Sequence, residues 1–106
     1  MAAKIIDGKQ IAADLRASTK ELVTKFVNVH NTPPTLAVVL VGEDPASQVY
    51  VKTKTKMAKE IGMNVEDHLF EKTVSESDLL NLINQLNTNK DVNGILVQLP
   101  LPNHID

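Results

Sequence analysis

The chain has 106 residues, with eleven basic and thirteen acidic side chains, a formal charge of -2 and no cysteine. That length fits one domain, able to bury roughly two-thirds of the surface its unfolded form exposes. The near balance of charge leaves no footprint for nucleic acid or an anionic membrane, so small molecules are the expected partners, and the lack of cysteine excludes disulfides, thiolate catalysis and thiolate metal sites.

The opening stretch "MAAKIIDGK" has neither a signal-peptide apolar run nor the Arg/Ser-rich character of a transit peptide. Nothing downstream is long enough to span a bilayer, and the expected location is the cytoplasm. A first helix is predicted to open at Asp7, a good N-cap, and to run through "GKQIAADLRASTKELVTKFVNV", where Ile11, Leu15, Leu22 and Phe26 recur at helical spacing. The two prolines of "NTPPT" stop it. "LAVVLV", Leu36 to Val41, reads as a strand covered on both faces, and Gly42 ends it. A second helix begins with Asp44 as N-cap and Pro45 in the first turn, where a missing N–H costs nothing, and ends near Gly62. "NVEDHLF" is half polar and reads as an edge strand. Ser75 with Asp78 resembles a capping box that opens a third helix, carrying Leu79, Leu82, Ile83 and Leu86. "ILVQL" is the last strand. The alternation α-β-α-β-α-β implies an α/β fold: a three-layer α-β-α arrangement with a short parallel sheet of order 2-1-3 and right-handed crossovers. With only three strands and a raw sheet edge just before "PLPNHID", the chain is expected to be part of a larger protein.

Four lysines crowd residues 52 to 59 of the second helix. With Tyr50 set at zero and roughly 100° per residue, Ala46, Met57 and Ile61 fall within about 40° of it and define the expected inward stripe. Lys52, Lys56 and Lys59, at about 200°, 240° and 180°, face water. Lys54 lies about 40° from Tyr50, one turn further along the same face. Periodicity alone favours a lysine that buries its stem and lifts its ammonium into solvent. The sharper alternative is a partly desolvated amine, readier to give up its proton and fit for proton transfer. Gln98 bears on that choice. An amide inside an apolar strand either anchors a core network or looks into a cleft. In open parallel sheets ligands bind beyond the carboxyl ends of the strands where the strand order reverses, and with order 2-1-3 the ends carrying Gln98 and the Tyr50/Lys54 helix are neighbours. Tyr50, Lys54 and Gln98 are therefore expected to converge on one crevice. "PLP" gives it a stiff wall, and the bonds to Pro100 and Pro102 are candidates for cis geometry.

"DPASQVYVKTKTKMAKEIGM" and "NGILVQLPLP", with "AAKIIDGKQIA" and "LAVVLVG", closely resemble the signature segments of the bifunctional methylenetetrahydrofolate dehydrogenase/methenyltetrahydrofolate cyclohydrolase family in its bacterial form. The resemblance covers essentially the whole chain. It implies that residues 1–106 are the N-terminal, tetrahydrofolate-binding catalytic domain, followed in the family by a Rossmann domain for NADP. Asn93 departs from the aspartate common before the Gly-Ile-Leu-Val run. By resemblance, Tyr50 stacks on the folate ring system, Lys54 is the general acid/base of the cyclohydrolase step and Gln98 holds Lys54. Val97, Leu99 and Pro100 line the folate site, and Ser47 is a weaker candidate for the same network, equally explained as a first-turn residue satisfying backbone N–H groups. The family's pterin-gripping aspartate lies beyond this chain's end, and Asp106 is not it. The full-length family forms homodimers; for this chain the state is open.

No G-x-G-x-x-G is present, and "LVGEDP" offers one glycine and two acids where pyrophosphate would sit, so NADP binding is not expected here. Lys54 and Gln98 are both present, but the cyclohydrolase activity of the chain alone is expected to be negligible, and folate binding weak, because effective catalysis needs closely fixed geometry. Tyr-x-x-x-Lys also occurs in short-chain dehydrogenases, where a glycine-rich nucleotide loop precedes it; none does here. A non-catalytic binding module would use the same crevice with Lys54 pairing a ligand carboxylate. A purely structural domain would leave Lys54 in solvent and tie Gln98 to backbone groups. His30, His68 and His104 lack metal-ligand spacing, and no metal site is expected. Capping and solvation account for the adjacent acids Glu43/Asp44 and Glu66/Asp67.

Overall fold

The computed structural model describes residues 2–106; Met1, the first residue of the N-terminal stretch, lies outside the described residues. Six elements follow one another: α1 (Gly8–His30), β1 (Thr35–Val41), α2 (Pro45–Glu60), β2 (Asn64–Phe70), α3 (Glu76–Thr88) and β3 (Gly94–Val97). Each helix starts where its cap residue stands. Asp7, Asp44 and Ser75 accept from the backbone N–H of Gln10, Ser47 and Asp78 respectively, satisfying donors that the first turn leaves unpaired. α1 closes at Asn31 in the left-handed conformation, which relieves the last carbonyls at little steric cost.

The sheet is parallel, in the order β2-β1-β3. Leu36 is paired with Val65 on one side and Gly94 on the other, and Val39 with His68 and Val97. β1 is the central strand, and Ala37 to Val41 are buried, as a β-branched run covered on both faces requires. Its alternate residues serve two cores. Ala37, Val39 and Val41 pack with Leu79 and Leu86 of α3, while Val38 and Leu40 pack with Val51 of α2. The two helices thus cover opposite faces, which follows from right-handed crossovers that leave β1 in opposite directions. Leu101 and Ile105 fold back onto the α3 side, where the His104 ring meets the Val74 carbonyl at 2.6 Å. Asn93 Oδ1 accepts from the Thr35 N–H at 2.9 Å and ties the starts of β1 and β3, using the kind of acceptor a carboxylate would also offer.

Three sequence readings need correction. The stripe of α1 does not face a core within this chain: Ile11, Leu15 and Leu22 are exposed, and Val23 is the buried residue of that helix. Val23 packs instead against Gly62, beyond the end of α2. The radius of gyration is 16.8 Å, in a slab of 54 × 41 × 19 Å, against roughly 13 Å for a compact chain of this length. In α2 the buried residues are Ser47, Val51 and Ala58, at about 60°, 100° and 80° on the wheel that sets Tyr50 to zero. Tyr50 is 56% exposed and stands on the flank, not at the centre of the inward stripe. Lastly, β3 ends at Val97, so Gln98 is the first residue beyond the strand. Its N–H still continues the ladder, donating to the Val39 carbonyl at 2.9 Å.

Candidate active site

β1 and β3 lie side by side, and chain connections leave β1 toward both edges of the sheet, so their carboxyl ends mark the point where strand order reverses. Gln98 stands at the end of β3. Leu96 is in register with Val38, so the alternation that turns Val97 toward the α3 core turns Gln98 toward α2. Val97 can therefore line the crevice only through its backbone, against the expectation that its side chain would do so. α2 starts four residues after β1 ends, capped by Asp44, and carries Tyr50 and Lys54 one turn apart on its flank.

Lys54 Nζ donates to Gln98 Oε1 at 2.7 Å, the short distance of a hydrogen bond from a charged donor. The two residues are 44 apart in sequence and come from separate elements. Lys54 is exposed as a residue while Gln98 is buried, so the pair sits at the rim, with the amide on the protein side and the amine on the solvent side. The expected desolvation of Lys54 is not met in this chain alone; what the fold supplies is a tether. Its place on the wheel explains this, since about 40° separates it from the centre of the buried face, against about 120°, 160° and 100° for Lys52, Lys56 and Lys59.

The rest of the amide is also partnered. Gln98 Nε2 donates to the Leu99 carbonyl at 3.0 Å, and Ser47 Oγ lies 3.1 Å from the same oxygen and 2.9 Å from Asp44 Oδ2. Among the described residues no buried side-chain N or O lacks a hydrogen-bond partner. Ser47 is 1% exposed and so meets the network from inside, not as a residue that touches a ligand. Asp44, read from the sequence as a cap, both caps α2 and holds the Ser47 hydroxyl. Its position three residues before a serine was the available signal. Leu99 and Pro100 are exposed beside the pair, joined by a cis peptide bond, and Tyr50 presents an open ring face nearby on α2. Among the described residues no group of His, Cys, Asp and Glu is placed to hold a metal ion. No helix is long and apolar enough to cross a membrane.

These features define an α/β half-domain that offers a ligand an aromatic face, a tethered amine and apolar walls at a topological switch point. The family model described as the tetrahydrofolate dehydrogenase/cyclohydrolase catalytic domain matches residues 6–106, and the chain belongs to that family. It is 56% identical over its whole length to bifunctional protein FolD 2 of Roseobacter denitrificans, covering 35% of that protein, and 53% identical to bifunctional protein FolD of Moorella thermoacetica, covering 38%. Among solved structures, the Campylobacter jejuni FolD methylenetetrahydrofolate dehydrogenase/cyclohydrolase superposes with a TM-score of 0.92 at 42% identity, over 99% of this chain and 37% of that one. The Trypanosoma brucei methylenetetrahydrofolate dehydrogenase-cyclohydrolase, complexed with NADP cofactor and inhibitor, gives 0.90 at 30% identity, over all of this chain and 36% of that one. The chain thus spans about a third of the length of the relatives it matches.

Proposed function

We propose that this chain supplies the folate-binding half of a methylenetetrahydrofolate dehydrogenase/methenyltetrahydrofolate cyclohydrolase, with Lys54 as the general acid/base of the hydrolytic step. The observation that carries this reading is the 2.7 Å contact between Lys54 Nζ and Gln98 Oε1 at the switch point of the sheet. The flat pterin and its one-carbon bridge lie against the exposed ring of Tyr50, with Leu99 and Pro100 as the opposing apolar wall. The bridge carbon of 5,10-methenyltetrahydrofolate is cationic, and water adds to it. One proton of that water passes to Lys54 as a free amine, the bond from the carbon to N5 breaks, and the ammonium returns the proton to N5. The product is 10-formyltetrahydrofolate, and the remaining water proton is released. Gln98 Oε1 occupies one N–H of the amine and so fixes the direction of its remaining positions toward the bridge.

NADP fits this chain's own residues poorly. The turn after β1 carries Glu43 and Asp44, with Glu71 on the neighbouring wall, where a pyrophosphate would need backbone N–H groups and positive charge. No part of the hydride step is assigned to these residues; in the family reading NADP is held elsewhere in the longer protein, which also carries any homodimer contact. With its crevice open, the 106-residue chain binds folate weakly and turns over negligibly. A fluorescence or calorimetric titration with a stable 5,10-bridged tetrahydrofolate analogue tests the reading, with Lys54→Met and NADP as controls. Saturable binding of the analogue, weakened in Lys54→Met and without NADP binding, supports it. Equal binding by both proteins removes Lys54 from the site.

A further inference from the structure

A glutamine amide has two ends of nearly the same size, and only its partners decide which way round it sits. Turned over, Gln98 would set its oxygen against the Leu99 carbonyl, two acceptors in contact, and its NH₂ group against the Lys54 ammonium, two donors. In the orientation present, the Leu99 oxygen takes the Nε2 hydrogen at 3.0 Å and the amide oxygen is left for Lys54 at 2.7 Å. The Leu99 carbonyl therefore sets the sense of the amide, provided that the carbonyl itself is held. Leu99 has an exposed side chain, 66% accessible, and lies beyond the end of β3, so the sheet does not hold it.

Ser47 does. Its hydroxyl reaches across 52 residues of sequence to the Leu99 oxygen at 3.1 Å, although a first-turn serine on a capped helix has partners within its own turn. Asp44 Oδ2 fixes the serine twice, accepting from its backbone N–H and from its hydroxyl, both at 2.9 Å. A single hydroxyl hydrogen faces two acceptors, the carboxylate and the carbonyl, and is shared between them in a three-centre arrangement. We infer that Asp44 and Ser47 are positioning residues for the Lys54–Gln98 pair: Asp44 grips Ser47, Ser47 pins the Leu99 carbonyl, and the pinned carbonyl turns the Gln98 amide oxygen toward the amine. The catalytic consequence rests on the reading of Lys54 given above, while the positioning is a property of the unliganded chain.

NMR of the isotope-labelled 106-residue chain tests it without ligand. Ser47→Ala is expected to speed hydrogen exchange of the Gln98 side-chain amide about tenfold and to increase the motion of the Lys54 ε-methylene, as loss of one supporting hydrogen bond predicts. Backbone amides of β1 and α2 are expected to keep their protection. Asp44→Asn retains an acceptor at the cap and is expected to stay within about twofold of the wild type. Ser47→Thr, which keeps the hydroxyl, is expected to restore slow exchange. Unchanged Gln98 exchange in a folded Ser47→Ala overturns the inference, as does a loss of protection spread evenly over the sheet, and Ser47→Cys serves the same comparison if the alanine variant does not fold. In parallel, failure of the wild-type chain to bind the folate analogue at millimolar concentration counts against the proposed function alone, because the Gln98 exchange is read without ligand.

Discussion

Gln98→Leu separates a residue that serves a crevice from one that holds a core together. The substitution removes two hydrogen bonds, Lys54 Nζ to Oε1 and Nε2 to the Leu99 carbonyl. Neither partner is left stranded. Lys54 is exposed and takes water in place of the amide, and the Leu99 oxygen keeps Ser47 Oγ at 3.1 Å. The loss is therefore that of one ordinary neutral hydrogen bond, about 1 kcal/mol, because the Lys54 bond is exchanged for hydration. Burying a leucine side chain of similar size at a position only 8% exposed returns a comparable fraction. Net destabilisation is expected to stay below about 1 kcal/mol, or a fall in melting temperature below roughly 8 °C for a domain of this size. Urea unfolding followed by circular dichroism gives the stability. The analogue titration, run on the same protein, is expected to show at least a several-fold loss of affinity. A destabilisation above about 3 kcal/mol would mean that the amide anchors a buried network whose removal strands other groups. That result, with unaltered binding, refutes the assignment of Gln98 to the site.

Other substitutions test the scaffold beneath the site. Gly62 has a φ of +95°, and a Cβ there meets Val23 Cγ1 at 3.3 Å, so Gly62→Ala is expected to cost about 1–2 kcal/mol in urea unfolding and to loosen the contact between α1 and the end of α2. Val39→Ala empties space in the fully buried centre of the sheet and is expected to cost about 2–3 kcal/mol by the same measurement. Ser75→Ala removes the acceptor for the Asp78 N–H and is expected to cost about 1 kcal/mol, with Ser75→Asp close to neutral.

Strand and helix boundaries were legible because their signals are local. Asp7, Asp44 and Ser75 stand at the caps they occupy, and the apolar run of β1 is buried on both faces. The strand order followed from chain handedness and a polar edge strand. What the sequence concealed was which surfaces have partners. Ile11, Leu15 and Leu22 repeat at helical spacing whether or not the same chain covers them, and here it does not. In α2, counting Tyr50 as an inward apolar anchor turned the buried face by about 80°, because hydropathy ranks an aromatic ring as core even where it flanks a crevice. A small buried serine carries no such apolar signal, so Ser47 was underweighted. Likewise Asp44 was read as a cap, which it is, but its hold on the Ser47 hydroxyl depends on a carbonyl brought from beyond β3. The proximity of Lys54 and Gln98 was legible only through topology, since no local pattern links residues 44 apart.

The most direct test of the account is a crystal structure of the chain soaked with a 5,10-bridged tetrahydrofolate analogue. The expected result is a pterin against Tyr50, with Lys54 Nζ within about 3–3.5 Å of the bridge carbon or one water away from it. An analogue seated elsewhere, or an Nζ more than about 7 Å from that carbon with no bridging water, contradicts the account.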